Sequence, residues 1–222
     1  MTDKTKKIQL DYVACLYFKR ELLFFRQAYD NPSNSIFEFY IKLESHLISL
    51  KNFKDFIKEK SVLFKDSAEL NAQKKGLNQL LNCAEYLRNK ICGHVNSFFI
   101  EQAVTWSPEI LSNVEGNVPQ EQVEQYRTEL FIKSLIESGI NSYRIDFNDN
   151  TIFPSEIDLL YPPDLEKFMT FIRNVNEKSI QLLDQLIALT KNDVHFFDGI
   201  EEQLKAISVA AKMDFGTRNR NT

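Results

Sequence analysis

Between residues 35 and 60, Ile36, Phe39, Leu43, Leu50, Phe53 and Ile57 fall at alternating steps of three and four, and His46 fills the one remaining place in the series. That spacing is the seam of an α-helix packed against other helices; a strand would need a period of two. Ser35 ahead of the run, with Glu38 three residues on, forms a capping box at its start. His46, set in an otherwise apolar seam, reads as a core histidine held by hydrogen bonds.

The rest of the chain is written in the same style. Only six Gly and six Pro occur in 222 residues, so long helices are interrupted rarely. Residues 9–29 predict a first helix, with Asp11 as its N-cap and aromatic residues on several sides, so burial is expected over more than one stripe. Asp30-Asn31-Pro32-Ser33-Asn34 stops it. A further helix runs from about 67 to the low hundreds, with Leu77, Leu80, Ala84, Leu87, Ile91, Val95 and Phe98 as its stripe and Gly76 and Gly93 as possible breaks. Trp106-Ser107-Pro108 ends it or opens a short helix, since Pro fits a first helical turn.

Residues 120–138 predict a helix with Val123, Tyr126, Leu130 and Leu135 inward and Gly139 as its stop. Tyr143, Ile145 and Phe147 then alternate with polar residues ahead of Asn148-Asp149-Asn150 and Ile152-Phe153, which predicts a short hairpin or an extended excursion. A helix over 164–191 carries Phe168, Ile172, Val175, Leu182, Leu186 and Leu189, with Ser179 as a polar gap. A last helix is expected over 199–213, then a polar tail from Gly216. The expected architecture is a single all-α domain over 1–222, a helical bundle. Its core spans 8–112, and 116–222 add helices that complete the bundle or form a lobe.

Charge is unevenly spread. The net charge is −4, yet residues 1–108 hold sixteen Lys/Arg against twelve Asp/Glu, and residues 109–166 hold three against twelve. A basic half of that kind can steer a polyanion, or be no more than a solvated surface. Three cysteines without metal-ligand spacing suit a reducing cytosol. No apolar run approaches the ~18 residues of a membrane span. There is no phosphate loop, no G-x-G-x-x-G, no H-E-x-x-H and no G-x-S-x-G. His195 follows Asp193, which reads more simply as a helix cap, and Arg218 and Arg220 lie in the tail.

One stretch departs from routine helix patterning: Glu85-Tyr86-Leu87-Arg88-Asn89-Lys90-Ile91-Cys92-Gly93-His94-Val95. Arg88 lies beside the apolar stripe, Gly93 interrupts it and His94 falls on it. Arg88, followed by the polar Asn89 and separated from His94 by five residues, resembles the R-x(4–6)-H motif of the HEPN superfamily. Those proteins are small helical bundles, many of them metal-independent ribonucleases of toxin–antitoxin, abortive-infection and CRISPR systems.

The resemblance implies an endoribonuclease that cuts single-stranded RNA or RNA loops by 2′-OH attack, needing no cofactor or metal. His94 would move protons, Arg88 would hold the scissile phosphate, and Asn89 would orient His94 or donate to phosphate. Lys90, Lys74 and Lys75 are the candidate RNA-binding lysines. On an ideal helix Arg88 and His94 stand ~120° apart. The family's answer is a homodimer whose two motifs share one cleft, in the cytoplasm, with an antitoxin or activating protein as partner. Where some relatives carry a Tyr two residues after the His, this chain has Asn96. The alternative is a non-catalytic helical module that binds a protein or nucleotide. In it, Arg88 would pair with Glu85 or another surface carboxylate, and His94 would sit in the core.

Overall fold

The computed structural model describes residues 3–31, 33, 35–65, 67–93, 97–112, 118–147, 151–194, 196, 199–201 and 203. Among these there is no strand, and the architecture is all-helical: α1 (Asp3–Asp30), α2 (Ile36–Glu59), α3 (Ala68–Leu87), α4 (Ser97–Trp106), α5 (Gln120–Phe147) and α6 (Pro162–Lys191). Short 3₁₀ turns cover Ser61–Phe64 and Pro108–Leu111, and a π-helical segment covers Arg88–Gly93.

Helix starts follow local chemistry. Ser35 accepts from the backbone N–H of Glu38 at 3.1 Å, and Ser67 accepts from that of Leu70 at 3.2 Å. Tyr161 stands in extended conformation ahead of Pro162, whose missing N–H costs nothing at a first turn. Asp11 is not a cap. α1 begins eight residues earlier, and Asp11 lies buried within it, paired with Lys60 at 2.8 Å. Nor is α1 covered on several sides. Cys15, Leu22 and Phe25 are buried, whereas Leu10, Val13, Tyr17 and Phe24 face outward.

Among the described residues there is no hairpin, and its expected turn, Asn148-Asp149-Asn150, lies outside them. α5 continues through Gly139 to Phe147, so Tyr143 and Phe147 lie four residues apart on one helix face, and Ile145 points to solvent. Tyr126 is likewise exposed, unlike Val123, Leu130 and Leu135. Gly139 is a contact point rather than a stop. A Cβ there would meet Ile91 Cγ1 at 3.4 Å and Leu87 Cδ2 at 3.7 Å, so the missing side chain lets α5 lie close on the end of α3.

A single hydrophobic cluster draws on α1, α2, α3, α5 and α6, together with Phe153, Ile157 and Leu159 from the α5–α6 connection. α1 packs most extensively on α6, and α2 on α3. The seam of α2 is buried from Leu43 to Ile57, as its spacing demands. In α6, Ser179 is buried and its hydroxyl donates to the Val175 carbonyl at 2.7 Å, while Leu189 is exposed. Most of the expected last helix and the tail, with Arg218 and Arg220, lie outside the described residues, as does His195.

Two polar systems are built into the bundle. Around His46, fully buried on α2, the Tyr29 hydroxyl donates to Nδ1 at 3.3 Å. Nε2–H donates to Asn176 Oδ1 at 3.0 Å, and the Asn176 amide donates onward to the Leu22 carbonyl at 3.1 Å. That chain fixes the tautomer and ties α2 to α1 and α6. Phe25 stacks on the ring at 4.7 Å. Burial drives the imidazole pKa down to about 4, against a smaller opposing effect of Asn176.

The second system lies on α5. The Glu137 carboxylate accepts the Leu159 N–H at 2.6 Å and pairs with Lys133 at 3.5 Å. Asn141 accepts from the Ile157 N–H at 2.9 Å and donates to its carbonyl at 3.1 Å. Three side chains at successive four-residue steps thus clip the α5–α6 connection to the helix.

Candidate active site

α3 ends as an α-helix at Leu87, and the chain continues through Arg88-Asn89-Lys90-Ile91-Cys92-Gly93 in π winding, closed by i→i+5 bonds. Such winding is uncommon, and two other helices contact it here. The Tyr40 hydroxyl of α2 donates to the Ile91 carbonyl at 3.0 Å, giving that oxygen a partner from another helix. Ile91 itself is buried and touches the empty side of Gly139. Cys92 Sγ reaches the Glu44 carbonyl at 3.9 Å. α2 and α5 therefore hold the segment from two sides. The Cys92 thiol is pushed up to about 12, first by burial and then by Glu44, against a smaller opposing effect of Arg88.

Arg88 is half-buried at the start of this segment. One guanidinium nitrogen donates to Asn89 Oδ1 at 3.2 Å. Its Nε is buried without a hydrogen-bond partner, a condition shared by Nε of Arg127 and Arg144. Arg144 pairs with Glu156 at 3.3 Å, whereas neither Arg88 nor Arg127 pairs with a carboxylate among the described residues; Arg127 donates instead to the Ser112 carbonyl at 3.0 Å. The expected alternative partner, Glu85, is held elsewhere, by Lys51 at 3.2 Å and by Lys54. Burial alone would raise the Glu85 carboxyl, but these two ammonium groups outweigh it and hold the group below its ordinary value.

Asn89 is exposed, and the Lys90 ammonium lies 5.2 Å from the centre of the Tyr86 ring. Arg88, Asn89 and Lys90 are thus gathered at one end of α3. Lys74 and Lys75 are not with them: they lie about 14 residues, or ~21 Å of helix, toward its start. Lys74 donates to the Ile57 carbonyl at 3.0 Å and stands 4.3 Å from the Phe64 ring, and burial lowers its pKa. Lys75 is exposed. His94 and Asn96 lie outside the described residues.

Beside the motif segment opens a groove of about 600 Å³, lined by Asn82, Glu85 and Tyr86 of α3, by Asn89 of the π-helical segment and by Tyr143 and Phe147 of α5. Tyr143 and Phe147 stack at 4.9 Å, and Tyr86 meets each of them edge-on at 5.5 Å. The Tyr86 hydroxyl donates to Asp146, and burial, ahead of that bond, raises its pKa. Sequence reasoning misses this groove because it places Tyr143 and Phe147 on a strand. Their four-residue spacing is the signal that could have joined them to Tyr86.

No family model matches the chain, and neither a curated protein nor a solved structure matches it. Among the described residues no helix is long and apolar enough to cross a membrane.

Proposed function

We propose that this chain is a metal-independent endoribonuclease of the HEPN type, acting on single-stranded RNA or RNA loops in the cytoplasm as a toxin or antiphage effector. The observation that carries the reading is Arg88: a half-buried guanidinium without a carboxylate partner among the described residues, at a π-wound break in a helix, beside an open groove. Departures of this kind from α-helical winding are frequent at functional sites.

In the proposed reaction the RNA 2′-oxygen attacks the adjacent phosphorus as His94 takes its proton. The P–O5′ bond breaks and the leaving 5′-oxygen receives a proton. The products are a 2′,3′-cyclic phosphate and a 5′-hydroxyl. Arg88 stabilises the charge on the non-bridging oxygens with its planar fork. Asn89 orients His94 or donates to phosphate, and Lys90 adds local positive charge. A homodimer supplies the two motifs of a composite cleft, and a partner protein controls it.

The test is cleavage of mixed single-stranded and transfer RNA in EDTA by the intact chain, Arg88→Ala and His94→Ala. The expected result is cleavage that survives EDTA and drops by roughly 10²–10⁴-fold in either variant. Cleavage unaffected by both substitutions would remove the motif from the mechanism. Absence of cleavage by a correctly folded dimer would favour the non-catalytic binding module.

A further inference from the structure

The groove beside Arg88 has a composition that the cleavage chemistry does not require. One side is aromatic, built from Tyr86, Tyr143 and Phe147, and the Phe147 ring is 57% exposed. The other side is polar: Asn82 of α3 and Asn89 of the π-helical segment present carboxamides, the Asn89 oxygen already accepting from Arg88, and the charge of Glu85 is balanced by Lys51 and Lys54. Asn82 makes no hydrogen bond among the described residues. Asn89 belongs to both the groove and the motif segment, so the groove is continuous with Arg88.

We infer that this groove is a nucleobase subsite, holding one unpaired base of the strand whose phosphate is held at Arg88. The identity of that strand rests on the ribonuclease reading; the chemistry of the pocket does not. A base has two π-faces and an edge that carries donors and acceptors together. An exposed ring at the mouth of a cleft can cover one face, and a carboxamide can donate to and accept from the edge at once. An apolar peptide side chain would leave the Asn82 carboxamide without a partner, and an acidic one would meet Asp146 and Glu85. The cations next to the groove, Arg88 and Lys90, suit the phosphates that flank a base.

The experiment uses a fluorescein-labelled 2′-O-methyl octaribonucleotide of mixed sequence, which cannot be cut by 2′-OH attack, and reads its affinity for the full chain by anisotropy. Loss of one base–aromatic stack predicts a 5- to 100-fold weaker affinity for Phe147→Ala, roughly the range of such stacks. A control oligonucleotide with the same backbone and no bases should bind as weakly to the intact chain as to the variant. Asn82→Ala should change the ranking among oligoadenylate, oligocytidylate and oligouridylate. Both substitutions are at exposed positions, and circular dichroism checks that the helices persist.

Unchanged affinity in Phe147→Ala, equal binding of the base-free strand, or no binding at all would overturn the subsite. Cleavage of unmodified RNA in EDTA is measured on the same preparations. Arg88-dependent cleavage with groove-independent affinity removes the subsite and keeps the nuclease. Base-dependent binding without cleavage does the reverse.

Discussion

His46 and Arg88 are both polar residues set into or beside apolar helical stripes, and the bundle treats them in opposite ways. His46 is sealed. Each ring nitrogen has a partner, a phenylalanine covers one face, and the charged form is suppressed. Arg88 stands at the surface of the same core with an unpartnered Nε and no carboxylate paired with it among the described residues, on a segment contacted by α2 and α5. A satisfied buried network specifies one packing of helices; a cation left open beside a groove is available to a ligand. Position relative to a stripe does not separate the two cases, whereas the accounting of partners does.

Four experiments bear on that contrast. His46→Ala strands the Tyr29 hydroxyl and the Asn176 amide and leaves a cavity, so denaturant unfolding should show a loss of about 3–5 kcal/mol. A loss under about 1 kcal/mol would mean the site is wetter and looser than its geometry implies. The pH dependence comes next. The folded imidazole stays neutral down to about 4, while the unfolded one protonates near 6.5. Between those values the unfolded state binds more protons, so stability falls as pH falls from 6.5 toward 4, by about 3 kcal/mol in all. His46→Gln should flatten that part of the profile, and an unchanged slope would assign it to carboxylates.

On the open side, Arg88→Lys keeps the charge but loses the two-pronged fork. RNA cleavage should fall about 10²-fold while stability stays within about 0.5 kcal/mol. A large stability loss would place Arg88 with His46, as a structural residue. Gly139→Leu probes the support of the π segment. Its side chain must enter the space held by Ile91 and Leu87, costing about 1–3 kcal/mol. Slower cleavage should accompany that cost, and full activity would show that the winding of residues 88–93 is indifferent to α5.

The stripes of α2, α3 and α6 are legible because helix periodicity is local and repeated over many turns. α5 is not, because Tyr143, Ile145 and Phe147 satisfy period two and Gly139 looks like a stop. Both signals are overridden by packing: Gly139 faces Ile91, and Tyr143 and Phe147 face Tyr86. Asp11 fails as a cap for a similar reason, since its partner Lys60 lies at the far end of the next helix. In the candidate site the string Arg88-Asn89-Lys90 is readable, and so is the break near Gly93. The contacts that meet the π segment are not, because one is a hydroxyl from Tyr40, fifty-one residues away. Sequence nearness alone groups Lys74 and Lys75 with the motif, and a straight helix carries them to its other end.

The pairing of α1 with α6 also bears on how the protein is made. The first helix finds its main neighbour only when Pro162–Lys191 has been translated. Arg88–Gly93 leaves the ribosome some 70 residues before that helix begins, an interval of roughly 4–14 s at ordinary rates of synthesis. During it α1 and α3 exist without the helix they pack on. A nascent chain therefore carries the motif before it has the bundle that holds it, so any activity that needs that bundle switches on only after translation has passed α6.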